Sequence, residues 1–169
     1  MMAILDFVCI RKFGERLMKV KIGPYREHRF WHNWAFNKFG WSPKVKTSIR
    51  IDKWDTWSMD HTLALIVVPM LKQLKETTHG APYVYPEDVP SELRPTKEEL
   101  LNYTNNADTD GNWFTRWDYV LDEMIWAFEQ KANDTWIVDK YSREDQEAHQ
   151  ERMTKGFKLF GKYYENLWD

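Results

Sequence analysis

Apolar and polar positions alternate near the start of the chain and follow helical spacing from Thr56 onward. In "MKVKIGPY" (Met18 to Tyr25), Val20 and Ile22 alternate with lysines, as on a short half-buried strand that Gly23-Pro24 ends. In "KVKTSIRID", Val45, Thr47, Ile49 and Ile51 take one side and Lys46, Ser48 and Arg50 the other, which predicts a second strand. Between them, "RFWHNWAFNKFG" predicts a short helix carrying Trp31, Trp34 and Phe39 in loose helical spacing, with Gly40 as its C-terminal cap.

The helical part opens with Leu63, Val67, Met70 and Leu74 at i, i+4, i+7 and i+11. Ile66 and Val68 widen this apolar surface, so the segment is expected to be a central helix packed on several sides and kinked at Pro69. A turn-rich connection, "HGAPYVYPEDVP", follows, and then Thr96 with Glu99 as a capping box for one or two helical turns. After the loop "NNADTDGN", residues Trp113, Trp117, Val120, Leu121, Met124 and Phe128 share one face of a strongly amphipathic helix. Ser142 and Asp145 can cap a last helix in which Met153, Gly156, Phe160, Tyr163 and Leu167 recur at spacings of three and four. Gly156 and Gly161 inside it point to close contact with another element, since each costs about 1 kcal/mol against Ala. The expected core joins Leu63, Val67, Met70, Leu121, Met124, Phe128, Phe160 and Leu167. The expected fold is mainly α with a small β-sheet (α+β). It comprises one compact domain, 18–169, of four to five helices and two or three short strands, preceded by residues 1–17 as an N-terminal extension or short amphipathic segment.

Composition narrows the class. Aromatic residues make up 16% of 169 positions and charged residues 30%, which fits a folded chain and not a disordered one. The most apolar run, "LALIVVPML", is too short to cross a bilayer, and "MMAILDFVCI" carries Asp6 and no basic leader, so no signal peptide is expected. Cys9 is the single cysteine, which excludes an internal disulfide and a cysteine-based zinc site and fits a reducing cytoplasm.

Charge changes the picture more. The net value of -2 conceals 12 Lys or Arg against 4 Asp or Glu in residues 1–53, and 12 against 22 in residues 54–169. Either the first third meets a phosphate-bearing partner, or it packs electrostatically on the rest of the chain or a second subunit. Arg26, Arg29, Lys46 and Arg50 are positioned to neutralise phosphates, and Trp31, Trp34 or Trp54 to stack on a base. The competing reading places the same rings in the core, with the basic side chains lying over them.

A second cluster, Asp60 and His61 at the entrance to the apolar helix, raises general-acid or metal chemistry. Successive helical residues point about 100° apart, however, so the two cannot easily share one metal, and Asp60 has a ready role at the positive end of the helix dipole. Asp118, Asp122 and Glu129 form a polar stripe that reads as solvated surface, and Glu123 reads as one half of a buried or partly buried ion pair beside Arg116. Neither a zinc-protease His pair, nor a phosphate loop, nor a nucleophile elbow is present in the sequence.

Four stretches, "IDKWDTWSMDHTLA", "HGAP", "RWDYVLDEMIWAFE" and "GFKLFGKYYENLW", resemble conserved proteins of unknown role encoded by tailed bacteriophages. The resemblance covers most of 18–169 and implies a viral origin and action in the host-cell cytoplasm, without an activity to transfer. The expected function is non-catalytic binding of a phosphate-bearing small molecule such as a nucleotide, which in a phage suits sequestration of a host signalling nucleotide, with no cofactor and no metal. Two alternatives stand beside it. One is a protein-interaction or minor virion component, a homo-oligomer or host-protein binder assembled through charge-complementary surfaces. The other is a metal-assisted phosphohydrolase using Asp60, His61 and Glu123.

Overall fold

In a computed structural model, residues 20–21, 34, 37–40, 48–49, 51, 53–106, 109–133 and 142–168 are described. The chain divides into two compact units, Met1–Ser58 and Met59–Asp169.

In the first unit, β1 (Val20–Lys21) pairs antiparallel with β2 (Ser48–Ile49), Val20 opposite Ile49 and Lys21 opposite Ser48. This ladder of two residues per side corrects the α+β expectation: among the described residues the fold is helical, and no sheet forms a layer of it. The physical reason lies in the alternating residues themselves. Ile49 and Ile51, expected on one side of the strand, are 54% and 68% exposed, so these two side chains bury no apolar face to sustain a longer ladder. Trp34 and residues 37–39 are helical, and Gly40 follows at φ 63°, a left-handed conformation that glycine adopts without cost.

The second unit comprises α1 (Met59–Thr77), α2 (Lys97–Asn106), α3 (Trp113–Asn133) and α4 (Arg143–Lys162). Short 3-10 turns at Pro86–Asp88 and Ser91–Leu93 lie between α1 and α2, and another at Tyr164–Asn166 follows α4. Both capping boxes form. Thr96 Oγ1 accepts from the Glu99 amide at 3.2 Å while Glu99 accepts from the Thr96 amide at 2.7 Å, and Ser142 and Asp145 reciprocate at 3.1 and 3.2 Å.

The central helix is α3, not α1. It packs against both α1 and α4 and buries Trp117, Val120, Leu121, Met124, Ile125 and Ala127. Its face is the one that the spacing of Trp113, Trp117, Val120, Leu121 and Met124 predicts; Phe128 packs partly buried against the core. Helix α1 buries only Ala64 and Leu71, with Val67 and Leu74 beside them, whereas Leu63 and Met70 are exposed. The apolar stripe of α1 is therefore rotated from the expected one, and α1 runs as a helix through Pro69. Among the other expected core positions, Phe160 and Leu167 are partly buried, while Leu159 and Tyr163 take the buried places at the end of α4. Val84 and Val89 complete the core from the 81–94 segment. No helix among the described residues is long and apolar enough to cross a membrane.

Candidate functional site

Of the residues expected to bind a phosphate-bearing ligand, Trp34 and Trp54 are described; Arg26, Arg29, Trp31, Lys46 and Arg50 lie outside the described residues. Both tryptophans face water, which goes against the core reading for Trp34: Trp34 is 57% and Trp54 54% exposed. Each has a lysine over its ring, Lys38 Nζ 5.1 Å from the Trp34 centroid and Lys53 Nζ 5.1 Å from the Trp54 centroid, separations at which an ammonium is attracted by the ring quadrupole. Trp34 meets Phe39 edge-on at 5.8 Å.

Trp54 sits in a turn over residues 53–58. The turn closes through the Trp57 amide, which donates to the Trp54 carbonyl at 3.2 Å, and through Thr56 Oγ1, which donates to the Lys53 carbonyl at 2.8 Å. These bonds bring the Trp54 and Trp57 rings to 5.9 Å at a tilt of 41°. Trp57, which spacing arguments pass over because it falls in no periodic run, is 82% exposed. Its signal in the sequence is the W-x-x-W pair at 54 and 57.

In the helical unit, Asp60, His61 and Glu123 do not converge. Asp60 pairs with Lys131 at 2.5 Å, and His61 Nδ1 donates to the Lys131 carbonyl at 3.0 Å, so both address the C-terminal end of α3. The Lys131 ammonium and the His61 amide hold the Asp60 carboxyl below its ordinary value of 3.8. This keeps Asp60 ionised in the first turn, where it faces the positive end of the α1 dipole. Glu123 stands about two turns earlier on α3, roughly 12 Å along the axis.

Glu123 is 7% exposed and forms the expected buried ion pair, its partner being Arg152 of α4. The guanidinium donates to both carboxylate oxygens, at 2.7 and 3.2 Å, and lies 4.0 Å over the Trp126 ring. Arg116 is itself 3% exposed, paired with Asp110 and donating to the Leu93 carbonyl at 3.0 Å. Burial pushes the Asp110 carboxyl up, but the Arg116 guanidinium and the Asn112 amide together bring it below 3.8.

The acidic stripe of α3 is taken up by lysines of α1: Asp122 pairs with Lys75 and Glu129 with Lys72, each at 2.5 Å. Among the described residues no group of three or more His, Cys, Asp or Glu side chains is placed to hold a metal ion.

At the end of α4, the Tyr163 hydroxyl donates to Asp88 at 2.6 Å and accepts from the Tyr85 amide at 2.9 Å, and Lys162 pairs with the same Asp88 at 2.6 Å. Burial, followed by the bond to Asp88, pushes the Tyr163 phenol well above its ordinary range, so it remains a hydroxyl donor and cannot act as a base at neutral pH. This network fastens the 81–94 segment over the core.

No family model matches the chain, and no curated protein or solved structure matches it.

Proposed function

We propose that the chain is a non-catalytic binding protein whose basic, aromatic-rich N-terminal region takes a phosphate-bearing small molecule, a nucleotide in particular. The observation that carries the reading is the pairing of water-facing indoles with lysines, Trp34 with Lys38 and Trp54 with Lys53, in a stretch of 12 basic against 4 acidic residues. A planar base gains from an indole face, and a phosphate chain gains from ammonium and guanidinium groups that outnumber the acids of the same stretch. With the resemblance of four stretches to tailed-phage proteins, this role is sequestration of a host signalling nucleotide in the host cytoplasm.

Calorimetry with ATP and GTP at low and high salt tests the reading. Arg29→Gln should weaken binding and flatten its salt dependence, whereas Trp34→Leu should weaken it with the salt slope nearly kept. Unchanged affinity in both folded variants would remove the N-terminal region from the binding role. Nucleotide recovered intact after long incubation with magnesium, manganese or zinc is the expected outcome; turnover lost on Asp60→Asn or His61→Ala would instead establish a phosphohydrolase.

One observation favours a second reading, a protein-interaction or virion component. Met59, Leu63 and Met70 fall within about 40° on the outward side of α1 and are all exposed, an apolar stripe that α3 does not cover. Sedimentation of Leu63→Lys and Met70→Lys tests it: a smaller particle than that of the parent chain supports assembly through α1, and an unchanged monomer removes the support.

A further inference from the structure

The nucleotide reading leaves open which ring receives the base, and the 53–58 turn distinguishes between its two tryptophans. Trp54 already has the Lys53 ammonium over its ring and the Trp57 ring beside it. Trp57 has its neighbour on one side and most of its surface in water, the highest exposure of any large apolar side chain among the described residues. The turn does not leave this arrangement to chance, because two hydrogen bonds close it across the same residues, from the Trp57 amide to the Trp54 carbonyl and from the Thr56 hydroxyl to the Lys53 carbonyl. A stacking platform needs a ring that is rigidly mounted, backed on one side and open on the other. The turn fixes the Trp57 backbone, the tilted Trp54 ring lies beside the indole at 5.9 Å, and the residue is 82% exposed.

The same turn carries a phosphate contact. Lys53 Nζ is 5.1 Å from the Trp54 centroid and the Trp57 centroid is 5.9 Å from it, which bounds the ammonium at 11.0 Å from the Trp57 ring. That is within the reach of a nucleoside triphosphate from its base to its phosphate chain. The side chain is also free to turn from the indole, since an exposed cation–π contact is worth only about 0.5 to 1 kcal/mol. Asp52 and Asp55 are the acids nearest to Lys53 in sequence, and Asp55 is half-buried.

We propose that Trp57 is the base-stacking residue of a nucleoside triphosphate site in this chain, with Trp54 as its backing ring and Lys53 as a phosphate contact. The assignment rests on the nucleotide reading above and names its ring and its ligand class.

The test uses the full chain, the four ribonucleoside triphosphates, and tripolyphosphate as a probe that has the phosphate chain without a base. Trp57→Leu should weaken triphosphate binding by about five- to 150-fold, the value of one base–aromatic stack, with tripolyphosphate binding and melting temperature unchanged. Trp57→Phe should restore most of the loss, and Lys53→Gln should weaken nucleotide and tripolyphosphate alike. If the parent chain binds nucleotides and Trp57→Leu binds them equally well, the assignment of Trp57 is wrong and the nucleotide reading stands. If the parent chain binds tripolyphosphate as tightly as every nucleotide, there is no stack and only phosphate recognition survives. Binding of neither overturns both. A Trp57→Leu chain that sediments as a smaller particle while keeping its nucleotide affinity transfers the ring to an assembly surface and overturns the proposal.

Discussion

Gly156 is where the packing of α3 on α4 can be tested most directly. A Cβ added there would meet the Ala127 side chain and would lie 2.6 Å from the Glu123 carbonyl oxygen. Ordinary contact begins near 3.4 Å, so clearing the carbonyl oxygen alone takes a separation of about 0.8 Å, and that atom belongs to the backbone of the central helix, not to the end of a flexible side chain. Overpacking of this kind costs about 1 to 3 kcal/mol, with the upper half of the range appropriate to a backbone obstacle. The gain in helix propensity from Gly to Ala, about 1 kcal/mol, offsets part of it. Gly156→Ala should therefore destabilise the protein by about 1 to 2 kcal/mol, lowering the melting temperature by roughly 2 to 8 °C. Gly161, on the same helix, has nothing within 4 Å of its virtual Cβ, and Gly161→Ala should raise stability by about 0.5 to 1 kcal/mol. Urea denaturation followed by circular dichroism, with thermal melts alongside, measures both. Opposite signs are expected from one chemical change on one helix; a Gly156→Ala chain as stable as the parent, with the same urea dependence, would refute the close approach.

Arg116→Met should cost about 3 kcal/mol at neutral pH, because it leaves the Asp110 carboxylate and the Leu93 carbonyl without their partner. The native Asp110 carboxyl lies below its unfolded value, so its contribution is present above about pH 4 and is lost as pH falls through the folded value; the gap between the urea midpoints of parent and variant should narrow as pH falls below 3.8, leaving the part due to the Leu93 carbonyl. Tyr163→Phe removes a donor to Asp88 and an acceptor for the Tyr85 amide, and should lower stability by about 1 to 3 kcal/mol, with hydrogen exchange at the Tyr85 amide accelerated more than in α3. Burial, then the nearby Arg152 guanidinium, holds the His149 imidazole below its ordinary value of 6.5, so its contribution is complete above that value and is lost as pH falls through the folded one. The proton resonances of His149 should titrate below pH 6.5 in the parent and move upward in Arg152→Met; a parent midpoint above 6.5 would contradict the assigned surroundings.

Periodicity reveals which side of a helix is apolar, but not how many neighbours that side meets. The α3 face was legible because Trp117, Val120, Leu121 and Met124 are large, apolar and bounded by charge. The run 63–71 of α1 is apolar on nearly every side, so its sequence holds no boundary to set the rotation. Ala64, the smallest of its side chains, turned out to mark the buried side. Partners were less legible than environments. That Glu123 would be buried and paired followed from its place at the edge of the α3 face, but Arg152 stands 29 residues further on and in another helix. The 81–94 segment reads as a connection because Gly and Pro punctuate it, and turn composition conceals Val84 and Val89, which are buried in a segment that the Tyr163–Asp88 bond ties to the far end of the chain. At the candidate site the rings were legible as a class, but the choice among them was not, since exposure is decided by the fold.

The ion pairs between α1 and α3 bear on how the binding proposal is to be tested. Asp60 with Lys131, Lys72 with Glu129 and Lys75 with Asp122 run in opposite order along α1 and α3, the order of an antiparallel pair. All three are at least partly exposed, and pairs of that kind contribute about 0 to 1 kcal/mol each and are screened by salt. They specify the pairing of the helices more than they stabilise it. Stability comes from the buried side chains of α3, and the Arg116–Asp110 and Arg152–Glu123 pairs, whose carboxylates are largely removed from solvent, are less sensitive to ionic strength and costly to break. Raising the salt from low to physiological values should then leave the helical unit folded while it screens the N-terminal lysines and arginines. A fall in ligand affinity across that range, with the melting temperature constant, is a property of the basic region and not of unfolding, whereas parallel losses of affinity and stability would mean that the charge of the N-terminal third is needed to hold the fold itself.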